Sequence, residues 1–276
     1  MTELRLRIFH YHCSIYTDVP EARQHVESVF RTEGRPPSGQ PDIRFTLRKT
    51  ARKKHSYQLL AGQTPLGAFD DAVSAVMALD HQLLALPVKT GKELAVFHSA
   101  WLAKKNRAVL LPGAGGAGKS TLCYALSRRG MSCGSDEAAA FLTGSGILVP
   151  FSRKLLMKPG SPYASFADSA MGRDNVLCRM DGRRYLAPEK WARAAPYKLL
   201  FIFPRYDPKA PPAEAAALAT EQALRLLLEN LFRLDSMTQP LFCRLTRALG
   251  PGSAFRLTYS DTDRAADLIL NRLGNS

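Results

Sequence analysis

Apolar and polar residues alternate along Leu4–Tyr16, which predicts a strand or hairpin arm. Pro20–Arg31 then reads as a short helix with proline in its first turn. A Pro/Gly/Ser loop covers 34–41, and Ile43–Arg48 and Ser56–Ala61 look like paired strands around the basic turn Lys49–His55. Within Asp70–Leu86, Val73, Val76, Met77, Leu83 and Leu84 recur at helical spacing, and Pro87–Lys92 predicts a joint. Together these elements predict a small α+β domain over residues 1–90.

From residue 91 the texture changes. Leu94–Ala103 and Arg107–Pro112 are apolar enough for two buried strands, joined by the tight connection Lys104-Lys-Asn106. Lys119–Arg129 reads as a helix closed by Gly130, and a short strand follows around Ser132–Gly134. Phe141–Val149 predicts a hairpin, and a polar stretch runs to about Pro196. A strong buried strand spans Lys198–Phe203, where Pro204 stops it. Glu221–Phe232 and Leu241–Leu249 predict helices, Ala254–Tyr259 a strand, and Ser260-x-x-Asp263 a capping box for a last helix. The fold class is therefore α/β, with a second domain over residues 91–276. Ala213–Ala219 reads only as alanine-rich.

Composition changes this picture little: 276 residues with 46% apolar are ordinary for a globular chain. No apolar run approaches the roughly 18 residues of a membrane span. The N-terminus alternates charged with apolar residues and shows no apolar signal region, so the expected address is the cytoplasm. Five scattered cysteines without a C-x-x-C pair speak against a disulfide framework or a structural zinc site. Charge is more informative. Of the net +14, residues 101–200 hold 16 Lys/Arg against 6 Asp/Glu. Such a field draws a triphosphate or an acidic substrate. No basic stripe interleaved with aromatics points to nucleic acid.

The candidate chemistry sits in that basic third. Gly113, Ala114, Gly115, Gly116, Ala117, Gly118, Lys119, Ser120 and Thr121 fit G-x-x-x-x-G-K-[ST], with an apolar strand before and a helix after. The glycines let successive amides approach phosphate oxygens, and the helix N-terminus adds its positive end. Lys119 would reach the β- and γ-phosphates of ATP, with the Ser120 hydroxyl on Mg²⁺. Asp136 and Glu137 follow Lys119 by 17 and 18 residues at the end of the next strand. Adjacent parallel strands would set them beside the terminal phosphate, one as base and one as metal partner. His98, on the strand before the loop, is a third candidate, although a lone His in an apolar strand is more often a core residue. Asp207 follows Pro204 and is displaced from a Mg²⁺-holding strand end.

The set of His98, the loop, Arg129-Gly130 and Ser135-Asp136-Glu137 resembles HPr kinase/phosphorylase. Leu111-Pro-Gly113, Phe203-Pro-Arg-Tyr206, Glu229-Asn-Leu-Phe232 and Tyr259-Ser-Asp-Thr-Asp263 bring it closer to the HprK-related kinase A group. The resemblance implies an HPr kinase/PEP carboxykinase-like core that uses ATP and Mg²⁺ to phosphorylate a hydroxyl. It implies Asp136 as base, Lys119 as phosphate binder, Ser120 and Glu137 as metal ligands, His98 as an assisting group, and Lys158 and Arg205 as further phosphate or substrate contacts. The acceptor it implies is a peptide or small protein tied to peptide modification or export. Hexamers are common among HPr kinases, so a homo-oligomer is compatible with it. The HPr-docking signature of the true enzymes is not recognisable, and the second acidic position is Glu rather than Asp. The alternative readings are a P-loop regulator or ATPase without phosphotransfer, and a small-molecule kinase.

Overall fold

The computed structural model describes residues 1–33, 40–50, 56–163 and 184–275. The chain divides into two units, one of Met1–Lys89 with Ser152–Ala187 and one of Thr90–Phe151 with Pro188–Ser276. The sequence reading divides the chain once, after residue 90, whereas here 152–187 group with the first unit.

In the first unit, β1 (Thr2–Ile8) and β2 (Tyr11–Thr17) form an antiparallel hairpin. Helix α1 (Pro20–Val29) leads to β3 (Ile43–Lys49), parallel to β2, and β4 (Tyr57–Ala61) and β5 (Thr64–Phe69) complete a five-stranded sheet. The expected turn 51–55 lies outside the described residues. Strand β5 is absent from the sequence pattern because it is a largely exposed edge containing Pro65 and Gly67, with no buried face to leave an alternation. Helix α2 (Ala72–Thr90) continues through Pro87, where the sequence predicts a joint. Placed in the last turn, that proline forfeits one backbone bond while the turns before it stay anchored by Val76, Leu79 and Leu83.

A buried polar knot shows why 152–187 belongs here. Asp80 of α2 accepts hydrogen bonds from Arg153 Nη1 at 3.2 Å and from Tyr185 Oη at 3.0 Å. Tyr185 stands on β12 (Arg184–Leu186), which pairs with β11 (Leu155–Met157). The sequence reads this region only as polar, because three-residue strands are too short to show a period.

The second unit is built on an eight-stranded mixed sheet. β7 (Arg107–Pro112), β13 (Lys198–Tyr206) and β15 (Ala254–Tyr259) run parallel, with β13 in the middle. β6 (Leu94–Lys104) lies antiparallel on the other side of β7. The far edge of β6 carries β8 (Ser132–Ser135) and β9 (Ala138–Leu142), and β10 (Leu148–Val149) closes that side. β14 (Ala213–Ala217), the alanine-rich stretch, is an edge strand on β15. Alternate β6 residues Phe97, Trp101 and Ala103 enter a core with α4 (Thr220–Leu228) and α5 (Gln239–Ala248). Val96, Ala100 and Leu102, which alternate with them, are buried too. Both faces of the sheet are therefore covered. The second face packs against α3 (Lys119–Ser127), which is held to α6 (Thr262–Asn275) by Arg129 bonding Asp263 at 2.9 Å and Asp267 at 2.8 Å.

Three boundaries differ from the sequence reading. β13 continues past Pro204. The Phe201 N–H donates toward β15, to Ser253 O, so alternation turns residue 204 toward β7, which has already left the sheet and needs no N–H there. Helix α4 ends at Leu228, and Leu231 instead bridges Phe97 on the edge of β6. Helix α6 is capped by Asp261 rather than Ser260: its carboxylate accepts the Asp263 and Arg264 amides at 2.8 and 3.0 Å.

Candidate active site

The glycine loop leaves β7 at Pro112 and enters α3 at Lys119, at the C-terminal edge of the parallel strands. That edge is where ligands bind in open α/β sheets. Gly116 and Gly118 hold φ of 88° and 92°, the left-handed region that favours glycine. At Gly118 space forbids a side chain as well, since a Cβ would fall 1.9 Å from Tyr259 Oη. Gly115 is different: a Cβ there would meet nothing within 4 Å. The protein itself does not need glycine at 115, whereas an anion seated on the backbone would. The first turn of α3 supplies the amides for it, because the first N–H groups of a helix lack intrahelical acceptors.

Lys119, 7% exposed, donates through Nζ to the carbonyls of Gly113 at 2.6 Å and Ala114 at 3.0 Å. The ammonium thus stitches the start of the loop to the start of the helix. Ser120 and Thr121 follow in the first helical turn.

Asp136 and Glu137 are not on a neighbour of the P-loop strand, as the spacing argument supposes. β6 intervenes, which sets their backbone two strand spacings, about 10 Å, from the loop strand. The pairs Trp101↔Ser135 and His98↔Ala138 share one register, so Asp136 lies opposite Ala100 and Glu137 opposite Ser99. The Ser99 N–H donates to Glu137 O at 3.2 Å, in keeping with that register. Directly opposed residues share a face, which turns Asp136 to the side of Ala100 and α3. Asp136 is 1% exposed. Glu137 is more open, with its side chain 32% exposed and Oε1 3.6 Å from His98 Nε2.

His98 links these parts. Its N–H donates to Asn230 O at 2.7 Å, and its carbonyl accepts the Gly113 N–H at 3.4 Å. Burial, then the Lys119 ammonium, push its imidazole below the ordinary histidine range, against the upward pull of Glu137 and Asp136. Lys119, Glu137 and Asp136 therefore all act electrostatically on one ring. Phe232 stands beside that ring, with centroids 6.0 Å apart.

Among the other sequence candidates, Arg205 is exposed near the end of β13 at the same sheet edge. Lys158 belongs to the first unit, just after β11. The Asp207 carboxylate accepts the Lys209 amide at 2.9 Å and so closes its own turn. Among the described residues, no group of three or more His, Cys, Asp or Glu side chains is arranged to hold a metal. Mg²⁺ needs no such group, since it keeps waters and takes one or two carboxylates with substrate phosphates. Sequence reasoning assigned no role to Tyr206, Tyr259 or Asn230. Their motifs were visible, but their contacts arise from strand pairing between distant segments. No family model and no curated protein matches the chain.

Proposed function

We propose that this chain is an ATP-dependent kinase with an HPr kinase/PEP carboxykinase-like core, transferring the γ-phosphoryl group to a Ser/Thr-type hydroxyl of a peptide or small protein. The observation that carries the reading is the meeting of a P-loop with His98, Asp136 and Glu137 at one edge of the sheet, where Lys119 and both carboxylates act on one imidazole. A structural turn has no use for two carboxylates across the next strand.

In this reading the loop amides and Lys119 hold the β- and γ-phosphates. Asp136 takes the proton as the acceptor oxygen bonds to the γ-phosphorus and the bond to the β-phosphate oxygen breaks, leaving ADP. Mg²⁺, held by Ser120 and Glu137, would neutralise charge on the phosphates. His98 orients Glu137 through its Nε2 side. Arg205 is proposed as an acceptor or phosphate contact, in a cytoplasmic enzyme serving peptide modification or export.

The second reading, a nucleotide-binding regulator or ATPase, draws on one observation: at 1% exposure Asp136 gives an acceptor little access. Incubating the wild type, Asp136→Asn and Glu137→Gln with ATP, Mg²⁺ and candidate acceptor peptides separates the two. Loss of phosphopeptide by about 10²–10⁴-fold in Asp136→Asn supports the kinase. Hydrolysis that persists unchanged in that variant, with no phosphopeptide from any chain, supports the regulator. A larger loss in Glu137→Gln moves the base to the open carboxylate.

A further inference from the structure

The aromatic ring of Tyr206 stands at the glycine loop with no role in the chemistry above. Tyr206 ends β13, and its Cβ lies 3.4 Å from where a Gly118 side chain would begin. It is 47% exposed, one of few large hydrophobic side chains left so open. Its position is nevertheless fixed. Tyr206 pairs with Tyr259 across the parallel strands, and the two rings meet edge-on at 5.6 Å and 65°. Tyr259 is itself buried and reaches over the loop, with Oη 3.4 Å from Gly118 O. The next amide, Asp207 N–H, is tied to Tyr259 O at 2.9 Å. An aromatic that is half in water yet braced on one edge and at its backbone is a preorganised contact surface.

The strand order says what it faces. Across the sheet edge the lanes run β8/β9, β6, β7, β13, β15. Asp136, Glu137 and His98 lie on the β6 side of the loop, so the reacting end of a polyphosphate belongs there. Tyr206 lies on the opposite side, toward β15. A triphosphate seated along the loop with its terminal phosphorus toward Asp136 directs its other end, sugar and base, toward Tyr206.

We infer that Tyr206 is the stacking platform for the nucleobase of the bound nucleotide, with Tyr259 as its brace. The inference rests on the nucleotide-binding reading and adds the base subsite to it. A flat ring accepts the π-face of any base, so Tyr206 contributes affinity without choosing adenine over guanine.

The test is calorimetric titration of the full chain with ATP, GTP and inorganic tripolyphosphate, each with Mg²⁺, for wild type, Tyr206→Phe, Tyr206→Leu and Tyr206→Ala. Tyr206→Leu keeps an apolar side chain suited to a strand and guards against a variant that merely misfolds. The Leu and Ala variants are expected to lose about 5- to 150-fold in affinity for both nucleotides, with tripolyphosphate binding unchanged and Tyr206→Phe close to wild type. Unchanged ATP affinity in both variants overturns the inference alone. Equal losses for ATP and tripolyphosphate also overturn it, because Tyr206 would then act on the loop. A wild type that binds neither ATP nor tripolyphosphate sinks the nucleotide reading and the inference together.

Discussion

Replacing Gly118 by alanine tests the geometry of the glycine loop through an energy that has two separable parts. An alanine held at the φ of 92° costs about 1–2 kcal/mol, because Cβ crowds the neighbouring carbonyl. The same Cβ would lie 1.9 Å from Tyr259 Oη, a buried group that cannot move without disturbing its strand. Overpacking of that kind costs about 1–3 kcal/mol. Gly118→Ala is therefore expected to destabilise the second unit by about 2–5 kcal/mol. Tyr259→Phe removes the offending oxygen, after which the nearest ring atom is 3.0 Å away. Alone, Tyr259→Phe loses only a long hydrogen bond and should cost about 0.5 kcal/mol. In the Gly118→Ala background it should instead stabilise, recovering about 1–3 kcal/mol and leaving the backbone strain. Urea unfolding read by tryptophan fluorescence reports this unit selectively, because the only two tryptophans, Trp101 and Trp191, both lie in it. A Tyr259→Phe cost of the same sign and size in both backgrounds would refute the contact.

Three further outcomes are expected. His98 titrates below the ordinary value of 6.5, chiefly through burial and then Lys119. The native protein thus holds fewer protons than the unfolded chain there, and the contribution of His98 to stability is present above pH 6.5 and lost as pH falls through its native midpoint. By NMR, Glu137→Gln should lower the imidazole midpoint and Lys119→Met should raise it; shifts of the same sign would count against the cluster. In the first unit, Asp80→Ala leaves Arg153 buried without its carboxylate and should cost about 3–5 kcal/mol, seen as faster hydrogen exchange in β11, while Tyr185→Phe costs only about 1 kcal/mol. Near-equal exchange in both variants would contradict the buried pair. Thiol labelling of native protein should modify Cys243 and spare Cys13, whose thiol burial pushes up to about 12, along with the buried Cys123 and Cys133; labelling of those three before unfolding would contradict the core.

Local parts of the fold could be read from the sequence, and the candidate site only as far as it is local. The unit β7, glycine loop and α3 announces itself because its strand, its positive-φ glycines and its helix are contiguous. β15 is equally plain, as an apolar run between turn residues. What escapes is pairing between distant segments. The intervening β6 does not appear in a count of residues from Lys119 to Asp136. Pro204 stops a strand in any local view, yet stays in β13 because its missing N–H faces a lane that β7 has vacated. Arg153 and Tyr185 look like parts of a polar loop until Asp80, more than seventy residues earlier, is placed against them.

The vacated lane also explains why the candidate residues meet where they do. β7 must leave the sheet after Pro112 to form the loop, which strips β6 of its partner from His98 backward. Unpaired backbone groups there would be costly beside a buried core. The segment after α4 fills the lane, with Asn230 O accepting the His98 N–H and the Phe232 N–H donating to Val96 O. His98 therefore sits at the residue where β6 exchanges one partner for another, its N–H on the new segment and its carbonyl on the first amide of the loop. On the opposite edge of β6 the bend between β8 and β9 carries Asp136 and Glu137, with Trp101↔Ser135 and His98↔Ala138 flanking it in one register. A site of this kind needs no dedicated scaffold. One strand gives up its neighbour to make the glycine loop, and the groups that repair and flank the gap supply the side chains facing it.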